Sequence, residues 1–263
     1  MSASVLASVT THRELVENLV LRDIKTRYKQ SVLGYAWAVF NPLLFAVIYT
    51  VVGKMILKQD TAIPFPVFAY YGLLYWNLFA TGWTTATDSL IFHMILITKV
   101  YFPREVLPIS AVISKLFDFI FGLVGLIPLL IVYHLAPAPS TFLCLPIVLI
   151  LVLFTTGVGM LCGAANLFYR DVRYLVGIAT NILGFLVPNI YPLSQIPARF
   201  QTVYLLNPVA VCIEASRRLT FPQAGSMEPL WPFVGIAAVL SSAVFVIGFV
   251  VYKRYEPLFA ECI

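Results

Sequence analysis

The acidic side chains that could act as acid–base catalysts or metal ligands lie far apart in this sequence. Asp88, Asp118 and Glu214 stand near apolar segments, and no histidine set with metal-ligand spacing flanks them. The sequence contains no aspartate-rich metal-diphosphate motif, no His-Glu-x-x-His and no Gly-x-Ser-x-Gly. We therefore expect no catalytic residue and no metal site in this chain.

Nucleotide and thiol chemistry have no better support. Gly53-Lys54 is followed by Met55, and no glycine lies five positions before Gly53, so a phosphate-binding loop is missing and the chain cannot hydrolyse ATP unaided. The cysteines are scattered without a Cys-x-x-Cys pair and are interpreted as small buried side chains. They are Cys144, Cys162, Cys212 and Cys262.

The elements that position these side chains are long stretches without Asp, Glu, Lys or Arg. They cover residues 30–53, 61–87, 119–169, 174–198 and 229–252. A helix that crosses a bilayer needs about 20 apolar residues, and the longest stretch is divided at 134–141, where a histidine and two prolines interrupt a helix. Six transmembrane helices are predicted, at residues 35–57, 67–89, 106–133, 142–168, 174–190 and 231–252.

The composition excludes a water-soluble fold. Hydrophobic residues make up 60% of the chain, charged residues only 11%, and the mean hydropathy is +0.91. A soluble surface needs about a quarter of its residues charged. We predict an all-α integral membrane protein with a single domain over residues 1–263.

The positive charges predict how the chain is oriented. With six spans both termini lie on one side, and that side receives all lysines and arginines except Lys54, Lys58, Arg199, Arg217 and Arg218. Because positive residues concentrate in cytoplasmic loops, both termini are predicted in the cytoplasm, with the chain in the cytoplasmic (inner) membrane. The net charge of +5 then reflects orientation, and no nucleic-acid partner is expected.

Residues 12–30 are predicted to form a helix before the first span. Arg22, Lys25 and Lys29 share one side at steps of three and four, and Leu15 and Leu19 lie across it. A solvated cytoplasmic helix fits this pattern, but the aromatic residues that follow favour an amphipathic helix in the headgroup layer of the membrane lipids.

Two further segments carry structural signals. Gly159-x-x-x-Gly163 in the fourth span predicts close helix packing. Residues 191–228 are too polar to span and too apolar for a free loop, so a re-entrant or interfacial helical hairpin is predicted, broken at Asn207-Pro208. It would form an extracytoplasmic gate, with Glu214 and Arg217 either salt-bridged or touching a substrate.

A secondary transporter would bury charged or ion-binding residues at mid-membrane, often in two matching halves. The predicted span centres are neutral and the sequence shows no internal repeat. The remaining possibilities are passive movement of a substrate and transport that is driven by energy from another subunit.

Four segments carry a resemblance to one family. Residues 21–37 read LRDIKTRYKQSVLGYAW and run into Asn41-Pro42-Leu43, residues 99–105 read KVYFPRE, residues 168–174 read FYRDVRY, and residues 255–260 read YEPLFA. Over nearly the whole chain the sequence resembles the permease subunits of ABC transporters that export polysaccharides such as O-antigen, teichoic acid and capsule.

The resemblance implies a homodimeric permease that works with two copies of an ATPase subunit. The substrate would be a polyprenyl-diphosphate-linked polysaccharide that moves from the cytoplasm outward. This chain would hold no cofactor, because ATP and Mg would be bound by the partner ATPase. An exporter of drugs or small lipids, or an integral-membrane glycolipid enzyme, is the alternative.

The resemblance also implies roles for three groups of residues. Four residues are candidates for binding the anionic headgroup of the substrate, namely Arg22, Lys25, Arg27 and Lys29. Their positive charges could instead serve only to set the membrane topology. Two segments supply candidates for coupling to the ATPase, although the first could be an ordinary loop with an aromatic belt. The candidates are Lys99, Tyr101, Phe102, Arg104, Glu105, Arg170, Asp171 and Arg173. Five aromatic residues are candidates for lining a channel along which sugar rings slide, namely Tyr35, Trp37, Phe40, Phe45 and Tyr49. These side chains could instead face lipid.

Overall fold

The computed structural model describes residues 13–29, 31, 34–56, 60–99 and 102–260. Within these ranges the chain is helical and contains no β-strand, which agrees with the predicted fold class. The α-helices are α1 (Arg13–Tyr28), α2 (Trp37–Thr50), α3 (Phe65–Phe92), α4 (Met94–Lys99), α5 (Val106–Val132), α6 (Cys144–Phe168), α7 (Asp171–Phe185), α8 (Ala198–Tyr204), α9 (Pro208–Thr220) and α10 (Trp231–Tyr255). Short 3-10 turns cover Gly34–Ala36, Pro139–Leu143, Leu193–Gln195, Pro222–Ala224 and Glu256–Ala260, and a π-helical segment covers Val51–Ile56.

Four helical segments in the described part of the chain are long and apolar enough to cross a membrane. They are Gly34–Gly53, Val106–Val132, Pro139–Phe168 and Trp231–Phe259. Each overlaps one of the six predicted spans. The other two correspond to α3 and α7, which differ from the rest in composition and in length.

Helix α3 lies at the centre of the bundle. It packs against α2, α5, α6, α7 and α9, and its first half is buried almost completely. Its 28 residues give a length of about 42 Å, more than the roughly 30 Å of a hydrocarbon core. Length alone would let it span, but its tyrosines, threonines and asparagine make it less apolar than the four segments above.

Helix α7 is shorter than the span predicted at 174–190. It ends at Phe185, because Pro188 follows and a proline disfavours helical geometry at the residue before it. Its 15 residues extend about 23 Å, less than the core thickness. The chain continues from it through the turns of residues 186–197 into α8 and then α9.

Small residues let three helices approach closely, as the sequence predicted for α6. A side chain at Gly159 would lie 2.5 Å from Cβ of Ala86 on α3. On the other side of α6, a side chain at Gly248 of α10 would lie 2.4 Å from the carbonyl oxygen of Gly157. The predicted packing role of this stripe is therefore confirmed.

The bundle has two ends that differ in chemistry. We use "charged end" for residues 94–105, 169–174 and 252–260, and "hairpin end" for residues 133–143 and 186–230. At the charged end, α1 packs on α5, and its Val16, Leu19, Val20 and Ile24 belong to a buried cluster that includes residues from the ends of α3, α5, α6 and α10. At the hairpin end, the turn before α6 is held to α9 by Ala138 N and Ser140 Oγ, which donate to Thr220 O (2.9 Å) and Leu219 O (2.6 Å).

The predicted break at Asn207-Pro208 is confirmed. Asn207 is the N-cap of α9, and its side-chain oxygen accepts a hydrogen bond of 3.0 Å from Val209 N. Pro208 occupies the first helical position, where its missing N–H costs nothing. Residues 191–228 therefore contain two short helices, α8 and α9, of which α9 is buried along its whole length.

Candidate functional site

A basic groove of about 610 Å³ runs beside α1. Arg22, Lys25 and Lys29 line it together with Tyr35, and all of these side chains are exposed. The 3-10 turn that leads into α2 begins at Gly34, whose φ of +50° is a left-handed conformation that glycine adopts without strain. The structure thus brings together three of the four residues predicted to meet an anionic headgroup.

Arg27 points away from this groove, toward α5. Its guanidinium pairs with the carboxylate of Asp118, and its Nη2 donates to Ser114 Oγ at 3.4 Å. Lys115 Nζ lies 3.8 Å from the same Asp118 carboxylate. These contacts join α1 to α5 through a cluster of charges.

The cluster corrects two statements of the sequence analysis. The sequence assigns Lys115 to the cytoplasmic side together with the loop cations, but it lies inside α5, and Asp118 lies close to the midpoint of that helix. The expectation that all span centres are neutral is therefore wrong for α5. The uncharged stretch begins only at Phe119, so a search for uncharged runs could not detect these two residues, although their spacing of three on one helix face was visible.

The coupling candidates at residues 99–105 divide into exposed and buried side chains. Lys99 at the end of α4 is exposed, whereas Phe102 is buried and Glu105 has an exposed fraction of 0%. Tyr101 lies outside the described residues. This segment therefore presents only part of its predicted surface to the solvent.

Arg104 and Glu105 are bound to the end of α10. The backbone N of Arg104 donates to Glu256 Oε1 at 2.9 Å, and its Nη1 donates to Glu256 O at 2.6 Å. Lys253 Nζ lies 2.7 Å from Glu105 Oε2 and 2.8 Å from Glu256 Oε2. These ionic contacts fix the residues 99–105 segment to the YEPLFA motif at the other end of the sequence.

The third coupling segment is open to the solvent. Arg170, Asp171 and Arg173 are all exposed at the turn between α6 and α7. Arg173 Nε lies 3.8 Å from Asp88 Oδ1 on α3, and Asn166 Nδ2 donates to the same oxygen at 3.2 Å. Asp88 therefore connects the central helix to this turn.

The aromatic candidates lie along α2 and its preceding turn. Tyr35, Trp37, Phe40 and Phe45 are each exposed by 43–45%, and Tyr49 is half-buried. Some form ring pairs: Tyr35 stacks on Phe121 at 5.4 Å, and Trp37 meets Phe40 edge-on at 5.7 Å. The face of α2 is thus an aromatic surface that the chain itself leaves uncovered.

A polar stripe on α3 was not identified from the sequence. Asn77, Thr81, Thr84, Thr85 and Asp88 recur at helical spacing, and these side chains are exposed or half-buried although most of α3 is buried. Thr81 and Thr85 satisfy their hydroxyls by donating to carbonyls one turn back, at 2.6 Å each. Exposed polar groups on the central helix are suited to a water-filled path.

Glu214 and Arg217 form a buried ion pair at the hairpin end, which selects the salt-bridged alternative. Arg217 is 1% exposed; its Nη1 lies 2.9 Å from Glu214 Oε2, and its Nη2 donates to Pro188 O at 2.7 Å. The guanidinium also lies 3.7 Å from the ring centroid of Phe68. Arg217 therefore holds α9 to α3 and to the turn after α7.

No metal site is found within the described ranges, where no three His, Cys, Asp or Glu side chains come together. The features suited to binding are therefore the basic groove, the charge cluster around Asp118, the aromatic face of α2 and the polar stripe of α3.

Comparisons with known proteins identify the family. The profile described as ABC-2 type transporter matches residues 14–221. An O-antigen export system permease protein RfbA from Klebsiella pneumoniae is 32% identical over 94% of each chain, and one from Myxococcus xanthus is 30% identical over 87% of this chain and 89% of its own. The polysialic acid transport protein KpsM of Escherichia coli is 27% identical over 79% of this chain and 81% of its own. The protein belongs to the ABC-2 type transporter family of membrane permeases.

Proposed function

We propose that this chain is the transmembrane subunit of an ABC exporter that moves a polyprenyl-diphosphate-linked polysaccharide, of the O-antigen, teichoic acid or capsule type, across the cytoplasmic membrane. The observation that carries the proposal is the similarity to O-antigen export permeases over 94% of the chain. ATP and Mg would be bound by a separate ATPase subunit.

The proposed topology has six crossings with both termini in the cytoplasm. Helices α3 and α7 supply the two crossings beyond the four long apolar segments, α7 being completed by the turns that follow it. The charged end would then face the cytoplasm, which agrees with the concentration of lysine and arginine there. The hairpin end would form the outer gate, braced from inside by the Glu214–Arg217 pair.

The basic groove beside α1 would receive the anionic headgroup of the substrate from the inner leaflet. Three cations and a tyrosine line it, and cations near a membrane surface attract anionic lipid groups. The sugar polymer would follow along the aromatic face of α2 and the polar stripe of α3. Apolar faces of sugar rings can stack on such aromatic side chains, which would let the polymer slide.

The permease would act as a homodimer on two ATPase copies. A second copy would cover the exposed aromatic face of α2 and enclose a path wide enough for a glycan. Lys99, Arg170 and Asp171, which are exposed at the charged end, are the residues proposed to contact the ATPase. Arg104 and Glu105 would act from behind this surface, through their contacts with α10.

The experiment is a deletion of the gene, with complementation by the full-length chain. The expected result is loss of surface polysaccharide and accumulation of its lipid-linked form inside the cell. Complementation is expected to require an intact nucleotide-binding motif in the partner ATPase. Normal surface polysaccharide after deletion would contradict the proposed function.

A further inference from the structure

A cavity of about 330 Å³ lies between α1, α2, α3 and α5, on the side of α1 opposite to the basic groove. Its size is within the range of about 300–1,000 Å³ that is typical of sites for small ligands. Its polar lining consists of Arg27, Asn41, Asn77, Thr81, Lys115 and Asp118.

The cavity lies at membrane depth. Lys115 and Asp118 are nine and twelve residues into α5 from its start at Val106, which places them about 14 Å and 18 Å along the helix axis. Because charged side chains at such depth are costly, they occur mainly where they face a path or a ligand. Lys115 is 10% exposed, and that exposed part borders the cavity.

The charges of the lining favour an anion. Arg27 and Lys115 contribute two positive charges, and Asp118 contributes one negative charge that both cations approach. Lys115 is 3.8 Å from the carboxylate, which is an ion-pair distance and not a hydrogen bond. A phosphate oxygen placed between the two cations would accept charge-assisted hydrogen bonds from both Arg27 and Lys115. Asp118 is too far from Lys115 to accept such a bond from it.

The rest of the lining is suited to a sugar. The amides of Asn41 and Asn77 offer both donors and acceptors, as sugar hydroxyls require. Trp37 lines the same cavity, and its ring meets that of Phe40 at an interplanar angle of 77°. An anion site and a sugar site therefore adjoin within one cavity.

We propose that this cavity binds the phosphate ester and the first sugar of a lipid-linked glycan, with Lys115 and Arg27 on the phosphate and Asn41, Asn77 and Trp37 on the sugar. The inference rests on the proposed function and assigns a resting site to the substrate inside the bundle, beyond the entry groove. Asp118 competes with the phosphate for the two cations, because both already approach its carboxylate.

The test measures lipid binding to the full-length chain with its ATPase partner in nanodiscs of zwitterionic lipid. The radiolabelled probes are a polyprenyl diphosphate and the same lipid bearing one hexosamine. Lys115→Gln is expected to raise the Kd for both probes by about tenfold or more, since it removes a charge-assisted contact. Asn77→Ala is expected to raise the Kd only for the sugar-bearing probe, by roughly threefold to tenfold. Asp118→Asn is expected to lower the Kd for both.

The matched control is Arg13→Gln, which removes an exposed cation of α1 that pairs with Glu17 and lies outside the cavity. It is expected to bind both probes like the wild type. Lys115→Arg, which keeps the charge, is expected to restore most of the affinity. Unchanged binding in Lys115→Gln, or weaker binding in Asp118→Asn, would overturn the inference.

A second measurement needs no substitution. A photoreactive group beside the diphosphate of the probe is expected to label residues 114–118 of the wild-type chain, and labelling confined to α1 would overturn the inference. Phosphatidylglycerol offers the same phosphate chemistry from an ordinary lipid and is expected to compete poorly. If phosphatidylglycerol competed as well as the unlabelled probe, the cavity would be a general site for lipid headgroups, and this result would also overturn the inference.

The two proposals fail separately. If deletion of the gene leaves surface polysaccharide intact, the proposed function fails. If deletion abolishes the polysaccharide while Lys115→Gln binds the probes and restores export like the wild type, the cavity fails as a substrate site and the proposed function stands.

Discussion

Arg217 illustrates how one residue can fix the geometry of the hairpin end. Its guanidinium reaches Glu214, the carbonyl of Pro188 and the ring of Phe68 at once. Arg217→Ala would leave Glu214 buried with Arg218 as its remaining partner, at 2.9 Å. Because Arg218 remains, we expect a loss near the lower end of the about 3–5 kcal/mol that a broken buried pair costs, measured as a lower thermal midpoint in detergent.

The control for Arg217→Ala is Arg199→Ala. Arg199 also lies over a ring, 4.6 Å from that of Phe200, but it is exposed. Exposed contacts of this kind contribute about 0.5–1 kcal/mol, so its midpoint should change little. Equal effects of the two substitutions would argue against the bracing role of Arg217.

His93 predicts a pH dependence of stability. It caps the end of α3, where Nδ1 donates to Ser89 O at 2.7 Å and Nε2 lies 3.9 Å from Asp23. Burial lowers the pKa of His93 below its usual value; nearby Arg22 adds to this, and the Ser89 carbonyl and Asp23 oppose it. Below about pH 6.5, the usual histidine pKa, the unfolded chain binds a proton more readily than the folded chain, so stability falls as the pH falls.

His93→Gln removes this titration. The thermal midpoint of the wild type should therefore fall more than that of the variant when the pH is lowered from about 8 to about 5, a range that brackets the ordinary histidine pKa. Parallel curves for the two proteins would contradict the prediction. A steeper curve for the variant would mean that the Asp23 contact dominates.

At the scale of elements, close helix contacts should be sensitive to added volume. Gly248→Val in α10 would place Cβ against the backbone of Gly157 in α6, where a rigid carbonyl cannot move aside. Overpacking of this kind costs typically about 1–3 kcal/mol, so the purified variant should lose stability in detergent. Gly235→Val in the same helix is the matched control, because no atom lies within 4 Å of the added Cβ.

The coupling segment should transmit motion through its ionic link to α10. Lys253→Gln removes the partner of the buried Glu105 and weakens the contact with Glu256. We expect ATPase activity without matching export, while insertion into the membrane is retained. The swap of Glu105→Lys with Lys253→Glu should restore part of the coupling. If Lys253→Gln exports at the wild-type ratio to ATP hydrolysed, the link has no such role.

The elements were predictable where a single local signal decides them. Proline positions predicted the break at Asn207-Pro208, and glycine spacing predicted the close packing of α6, whose partner α3 only the structure shows. The charge cluster of Lys115 and Asp118 was not predicted, because its meaning depends on Arg27, which is remote in sequence. The inward position of Arg104 likewise depends on Glu256, 152 residues later.

At the scale of the molecule, the uncovered surfaces indicate what the single chain lacks. Aromatic side chains of α2 are nearly half exposed, and the adjacent α3 carries the polar stripe from Asn77 to Asp88. Lipid would cover an aromatic face, but it would not solvate the amide of Asn77 or the carboxylate of Asp88. A second copy that encloses water would satisfy both, which is the physical argument for the proposed dimer.

Phe45 tests whether the aromatic face of α2 serves the path. Phe45→Ala should slow export of polymer, because sugar rings lose a stacking surface. Binding of the lipid-linked diphosphate should stay near the wild-type level, since Phe45 is not among the residues that line the charged cavity. Phe142→Ala is the matched control: its ring is 80% exposed at the hairpin end, away from α2. Polymer reaching the surface per unit time is measured at equal membrane amounts. Equal export by the two variants would assign the α2 aromatics to lipid contact, and the polar stripe of α3 would then line the path without them.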